Sequence, residues 1–112
     1  MITGQTTDGA YMAKATGDLT IYTAAECLAQ LRHMTDAAVD IVLDLSEVGE
    51  IDTAGVQLLI QARRTCDAQG KSLQWASPSP AVQEIVQVLR LHELLGMPGG
   101  EQASTPMPVE AP

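Results

Sequence analysis

Asp44-Leu45-Ser46-Glu47-Val48-Gly49-Glu50-Ile51-Asp52-Thr53-Ala54-Gly55 joins two segments of opposite character. Before it, Ile41-Val42-Leu43, continued by Leu45, is the short apolar run of a strand buried on both faces, as in a parallel sheet covered by helices. After it, Val56-Gln57-Leu58-Leu59-Ile60-Gln61-Ala62-Arg63-Arg64 has helical spacing and is built from good helix formers. A helix starting here needs an N-cap, and Asp52 and Thr53 both qualify. The Thr53 hydroxyl lies beside unpaired backbone N–H groups and the positive end of a helix dipole, a place that accommodates a phosphate. Two uses of that hydroxyl are open at this point: a bond to a backbone N–H as a cap, or the role of a switch.

Working outward, the helix carries Gln57, Gln61 and Arg64 along a wet face and runs to Gln69-Gly70, where glycine supplies the cap. Ser72-Leu73-Gln74-Trp75-Ala76 reads as a second interior strand. Ser79 as N-cap with Pro80 in the first helical position opens a third helix, with Val82, Ile85, Val86 and Leu89 as its apolar stripe. Leu91-His92-Glu93-Leu94-Leu95 is a short apolar segment that closes the packed region at Gly96. Upstream, Thr23-Ala24-Ala25-Glu26 is a capping box, and Ala24, Cys27, Leu28, Leu31 and Met34 then form one helical stripe. Further upstream, Ala10–Ala15 and Leu19-Thr20-Ile21 are expected to pair as a hairpin around Gly17-Asp18. The resulting expectation is an α/β domain over residues 9–96, with a flexible N-terminus at 1–8 and a disordered Pro/Gly-rich tail at 97–112. Right-handed crossovers would join its strands.

Composition narrows the function classes. The 112 residues suffice for a single domain with its own core, and the 46% hydrophobic content contains no Phe, so that core is aliphatic. Fourteen acidic against six basic residues give a net charge of −8, which repels nucleic acid and anionic membranes and favours protein partners with neutral or basic surfaces. Cys27 and Cys66 are far apart, with no CxxC and no His at ligand spacing, so they read as buried thiols and not as a zinc or redox site. The chain shows neither the pattern of a signal peptide at Met1–Asp8 nor an apolar run long enough for membrane insertion. A soluble, cytoplasmic protein without cofactor or metal is expected.

Catalytic signatures are missing as well: no GxGxxG, GxxxxGK[ST] or GxSxG occurs. Asp44 follows apolar residues as a phosphate-accepting aspartate would, yet it lacks a second acidic neighbour for magnesium and is better read as bonding to a loop. His33 and His92 fall late in separate helical segments, where exposed or dipole-facing roles explain them without catalysis. Asp52 beside Thr53 could activate a hydroxyl, though capping alone explains it. No enzymatic constellation is present, and the expected activity is non-catalytic.

The pairing of Ile41–Ser46 with Ile51-Asp52-Thr53-Ala54-Gly55, an aliphatic helix, and Ser79-Pro80-Ala81-Val82 resembles the STAS domain of bacterial anti-sigma factor antagonists. The likeness extends from about Gly17 to Gly96. It implies a four- or five-stranded mixed sheet with helices mainly on one side, and a partner-binding surface at Asp52, Thr53, Ala54 and Gly55. It further implies phosphorylation of Thr53 by a partner that is both serine/threonine kinase and anti-sigma factor, with release of the sigma factor by the unphosphorylated form and reversal by a phosphatase. Such a switch would act in transcription regulation. The chain has Gly17-Asp18-Leu19-Thr20 where many phosphorylated members have Gly-x-Leu-Asp. Threonine at this turn is also common in scaffolding relatives, including the small STAS subunit of the Mla-type phospholipid transporter. The alternative function is therefore a constitutive partner of an ABC transporter ATPase, with Thr53 as an interface residue.

Overall fold

A computed structural model describes residues 1–37 and 40–97. Its four strands are β1 (Ile2–Thr7), β2 (Ala10–Leu19), β3 (Asp40–Ile51) and β4 (Ser72–Ala76), ordered β1-β2-β3-β4 in one sheet. The first pair is antiparallel and the other two are parallel. Four helices complete the described chain: α1 (Ala24–Ala37), α2 (Thr53–Ala68), α3 (Pro80–Val88) and α4 (His92–Leu95). The mixed α/β sheet expected from the sequence is present.

Alternation along the strands decides which face is covered. Tyr11, Ala13 and Ala15 of β2, Ile41, Leu43 and Leu45 of β3, and Leu73 of β4 are buried beneath the helices. Met12 and Lys14 point to the opposite, wet face together with half-buried Val42, so β3 is covered on one face and not on both as its apolar run suggests. From α1, Cys27, Leu31 and Met34 enter the core as its stripe requires, joined by Val56, Leu59, Ala62 and Cys66 of α2. Gln57, Gln61 and Arg64 are exposed, as expected. The core is continuous and mainly aliphatic, with Tyr11 buried in it and Trp75 packed against it, so burial of methyl and methylene groups supplies the main driving force.

Four expectations are corrected. Residues 2–7, read as part of a flexible N-terminus, form β1, because Asp8 and Gly9 take φ of 52° and 84° and close a two-residue hairpin with Thr7 opposite Ala10. Gly17-Asp18 is not a turn: β2 runs straight through it to Leu19, with Gly17 absorbing a φ of 82°. β3 likewise extends beyond Leu45 to Ile51 and pairs with Thr16–Leu19 across two bulges. At each bulge β3 advances three residues, Asp44 to Glu47 and Val48 to Ile51, where β2 advances two. Finally, β4 lies at an edge of the described sheet and not in its interior. The expected tail lies outside the described residues except for Met97, which is buried.

The chain end of the fold is held by side chains from elsewhere. Arg63 on α2 donates from Nε to the Leu95 carbonyl at 2.9 Å and from Nη2 to the Leu73 carbonyl at 2.8 Å. Its guanidinium lies 5.5 Å from the Trp75 ring centroid, and Trp75 Nε1 donates to the same Leu95 carbonyl at 2.6 Å. The two bonds to Leu95 satisfy the carbonyl at the end of α4, where Gly96 takes a left-handed φ of 75°, and the third ties α2 to β4.

Candidate functional site

The β3–α2 junction is built around one carboxylate. Asp52 has extended backbone and is the N-cap of α2: one carboxylate oxygen, Oδ1, accepts the Gly55 N–H at 3.0 Å. The other, Oδ2, accepts the Ile21 N–H at 3.1 Å, fastening the β2–α1 loop to the start of α2. The Asp52 backbone N–H donates to the Leu19 carbonyl at 3.2 Å. The backbone N–H groups of Gly55 and then Ile21 stabilise the ionised form and hold the Asp52 carboxyl below its ordinary value.

With Asp52 as the cap, the two uses of Thr53 separate. Thr53 occupies the first helical position and is exposed. Among the described residues its hydroxyl makes no hydrogen bond, so it is not spent on capping. Ala54 is half-buried and Gly55 fully covered. A Cβ at Gly55 would run into the carbonyl oxygen of Leu19 and lie 2.8 Å from its carbonyl carbon, so glycine is what lets the first turn of α2 rest on the end of β2. The structure thus brings Asp52, Thr53, Ala54 and Gly55 into one turn, with differing parts: Asp52 and Gly55 fix the geometry, and Thr53 presents a hydroxyl.

Around this turn lies a cleft of about 650 Å³ whose walls were not evident in the sequence. The β2–α1 loop contributes Tyr22 and Thr23, the end of β3 contributes Glu50, and α3 contributes Glu84, Ile85 and Val88. Tyr22 is 94% exposed, Val88 69% and neighbouring Ile21 67%. The loop is rigidified by Thr23, whose hydroxyl donates to the Asp18 carbonyl at 2.9 Å and accepts the Thr20 N–H at 3.1 Å. The capping box expected at Thr23 and Glu26 is therefore not formed, because the hydroxyl is turned back into the preceding loop. Asp18 Oδ1 accepts the Glu50 N–H at 3.1 Å and ties the end of β2 to the end of β3.

The start of α3 agrees with the sequence: Ser79 Oγ accepts the Val82 N–H at 3.3 Å and Pro80 follows. Its stripe is shorter than expected. Val82 and Val86 are buried, but Leu89 is 43% exposed, because the helix stops at Val88 and Arg90 turns left-handed with φ of 56°.

The other residues weighed for chemistry are dispersed. Asp44 lies within β3, where its Oδ1 accepts the Ser46 N–H at 2.8 Å; this bond holds its carboxyl below the ordinary value. His33 meets the Tyr11 ring edge-on at 6.4 Å, and His92 opens α4. Cys27 and Cys66 are free and buried, and burial pushes the Cys66 thiol up. Among the described residues no three His, Cys, Asp or Glu side chains converge as a metal centre requires, and no helix is long and apolar enough to cross a membrane.

A family model described as "Mlab, STAS domain" matches residues 2–96. Among solved structures, the anti-sigma factor antagonist SpoIIAA in its unphosphorylated form is similar at a TM-score of 0.67, with 18% identity over 84% of each chain. The phosphorylated form of the Bacillus protein is similar at 0.64, with 18% identity over 84% of this chain and 87% of that one. An anti-sigma factor antagonist from Mycobacterium paratuberculosis reaches 0.71, with 19% identity over 83% of this chain and 81% of that chain. A sulfate transporter family protein from Wolinella succinogenes reaches 0.66, with 19% identity over 80% and 74%.

Proposed function

The chain belongs to the STAS-domain family, and from that premise we propose that it is an anti-sigma factor antagonist, a non-enzymatic protein-binding switch with Thr53 as its phosphoacceptor. The observation that carries this reading is the division of labour at the turn. Asp52 caps α2, leaving the Thr53 hydroxyl exposed and, among the described residues, unbonded at the first helical position. A phosphoryl group there would add roughly 1.5–2 negative charges next to a helix N-terminus, which tolerates them, on a surface that a partner must fit closely. The fold would be kept and the partner lost by repulsion and desolvation. That SpoIIAA, of like fold, is known in both phosphorylated and unphosphorylated forms supports the idea that this scaffold accommodates the modification.

The partner in this reading is an ATP-binding anti-sigma kinase, with a phosphatase to reset the switch. Incubation of the purified protein with ATP and its co-encoded kinase is expected to add one phosphate, located on Thr53 by mass spectrometry. Thr53→Ala is expected to remove that site while changing stability by no more than about 0.5 kcal/mol, since the hydroxyl is exposed and makes no bond. Thr53→Glu is expected to weaken partner binding by about tenfold or more while leaving the circular dichroism spectrum unchanged. Modification elsewhere, or unchanged affinity of Thr53→Glu, would sink the switch.

A second reading is favoured by the description of the family model itself and by the transporter protein among the neighbours. In it the same turn is a constitutive contact with a membrane transporter ATPase, and Thr53 is never phosphorylated. Co-purification with such an ATPase from cells, with Thr53 unmodified, would select it over the first.

A further inference from the structure

The cleft beside the Thr53 turn has a chemical character of its own. Its floor and lips are apolar: Ile51, Ala81 and Ile85 are half-buried, and Tyr22 and Val88 stand out into solvent. Among the described residues its charged side chains are all acidic, Asp18, Glu50, Asp52 and Glu84, with no Lys or Arg lining it. These carboxylates are not equivalent. Asp18 and Asp52 are engaged with backbone N–H groups. Glu50 and Glu84, on opposite walls, are exposed and take part in neither of the salt bridges among the described residues.

We propose that this cleft, between the β2–α1 loop and α3, docks an amphipathic, positively charged helical segment of the partner protein. Its apolar side would pack on Tyr22, Ile85 and Val88, and its Lys or Arg side chains would meet Glu50 and Glu84. The inference rests on the protein-binding reading above and adds the chemistry of the ligand and a second wall, α3, away from Thr53. Charge complementarity selects the occupant. A purely apolar segment would leave two carboxylates beside it with their hydration disturbed and nothing in return, and an acidic one would be repelled. A protruding tyrosine at the rim, rigid and amphipathic, is the kind of side chain that anchors such contacts. A groove that takes the apolar face of a helix is a recurrent mode of recognition.

The test uses the full chain and a synthetic, helix-forming peptide of about 16 residues, roughly four turns, with leucines on one face and lysine and arginine on the other. A matched peptide has every cation replaced by glutamate. In NMR titrations of the isotope-labelled protein, the cationic peptide is expected to shift the amides of residues 18–23, 49–52 and 81–88, and the acidic one to leave them in place. Glu50→Lys with Glu84→Lys is expected to lower the affinity for the cationic peptide by about tenfold or more, and raising salt from about 50 mM to about 500 mM is expected to weaken it in the wild type. Absence of binding, shifts on another face, or equal binding of both peptides would overturn the proposal. The same double variant, assayed against the co-encoded kinase, separates the two ideas. If Thr53 is still phosphorylated and Thr53→Glu still releases the kinase while the double variant binds it normally, the groove is wrong and the switch stands. If the double variant loses both peptide and kinase but Thr53→Glu changes nothing, the groove stands and the switch falls.

Discussion

Gly55 carries more of the site's geometry than its size suggests. An added Cβ would run into the Leu19 carbonyl oxygen, the same oxygen that accepts the Asp52 N–H, so the first turn of α2 rests on the end of β2. A methyl group can be accommodated only by moving one of these two backbones, and neither is the loose end of a flexible side chain. Gly55→Ala is expected to destabilise the fold by about 1–3 kcal/mol, the usual cost of overpacking, despite the better helix propensity of alanine. It should also move the Thr53 hydroxyl and slow its phosphorylation. Urea denaturation checks the first effect; a midpoint equal to that of the wild type would mean that the contact relaxes without cost. The sequence made the residues of this turn visible because their signals are local: a carboxylate, a hydroxyl and a glycine between an apolar strand and a helix. It did not decide between Asp52 and Thr53 as cap, since both side chains suit the position and only the bond to the Gly55 N–H distinguishes them.

At the scale of elements, helix ends that depend on neighbouring residues were legible and strands that depend on distant ones were not. Ser79-Pro80 and Gly70 mark the start of α3 and the end of α2 as read, with Gly70 left-handed at φ of 69° and the Lys71 N–H donating to the Cys66 carbonyl at 2.8 Å. The continuation of β3 through Ser46–Glu50 had no apolar run to announce it. Those residues are extended because Thr16–Leu19 pair with them, and that pairing is non-local. β1 was missed although Asp8-Gly9 is a strong hairpin signal, because Ile2 is its single buried residue and the strand looks polar. The end of α3 offers a test of the local rules. Arg90 occupies the left-handed position after the C-cap, and the Leu91 N–H closes the motif on the Val86 carbonyl at 2.9 Å. Arginine bears a steric cost there that glycine does not. Arg90→Gly is expected to stabilise the protein by about 0.5–1 kcal/mol, seen as a rise in Tm, even after the greater chain entropy of glycine in the unfolded state is counted. A fall in Tm would show that the arginine side chain makes a contribution larger than the backbone cost.

For the molecule as a whole, the folded-state bonds of two carboxylates shape the response to pH. The walls of the proposed docking cleft come from the β2–α1 loop, β3 and α3, and no sequence window contains them all. Ile21 reads as the end of the short strand expected over Leu19-Thr20-Ile21, and Tyr22 belongs to no periodic stretch. The same assembly places Asp52 against the N–H groups of Gly55 and Ile21, and Asp44 against that of Ser46, so both carboxyls are held below their ordinary values. A carboxyl with a lower folded-state pKa binds a proton less readily folded than unfolded. Its contribution to stability is complete above the ordinary carboxylate pKa near about 4 and is lost as pH falls through the folded-state value. Stability is therefore expected to decline below about pH 4, and Asp44→Asn with Asp52→Asn is expected to flatten that decline, because asparagine still caps α2 without a titrating proton. Calorimetric Tm values between about pH 6 and pH 3 for the wild type and the double variant give the comparison directly. Parallel curves would assign the acid limb to other carboxylates and remove Asp52's bonds as its cause.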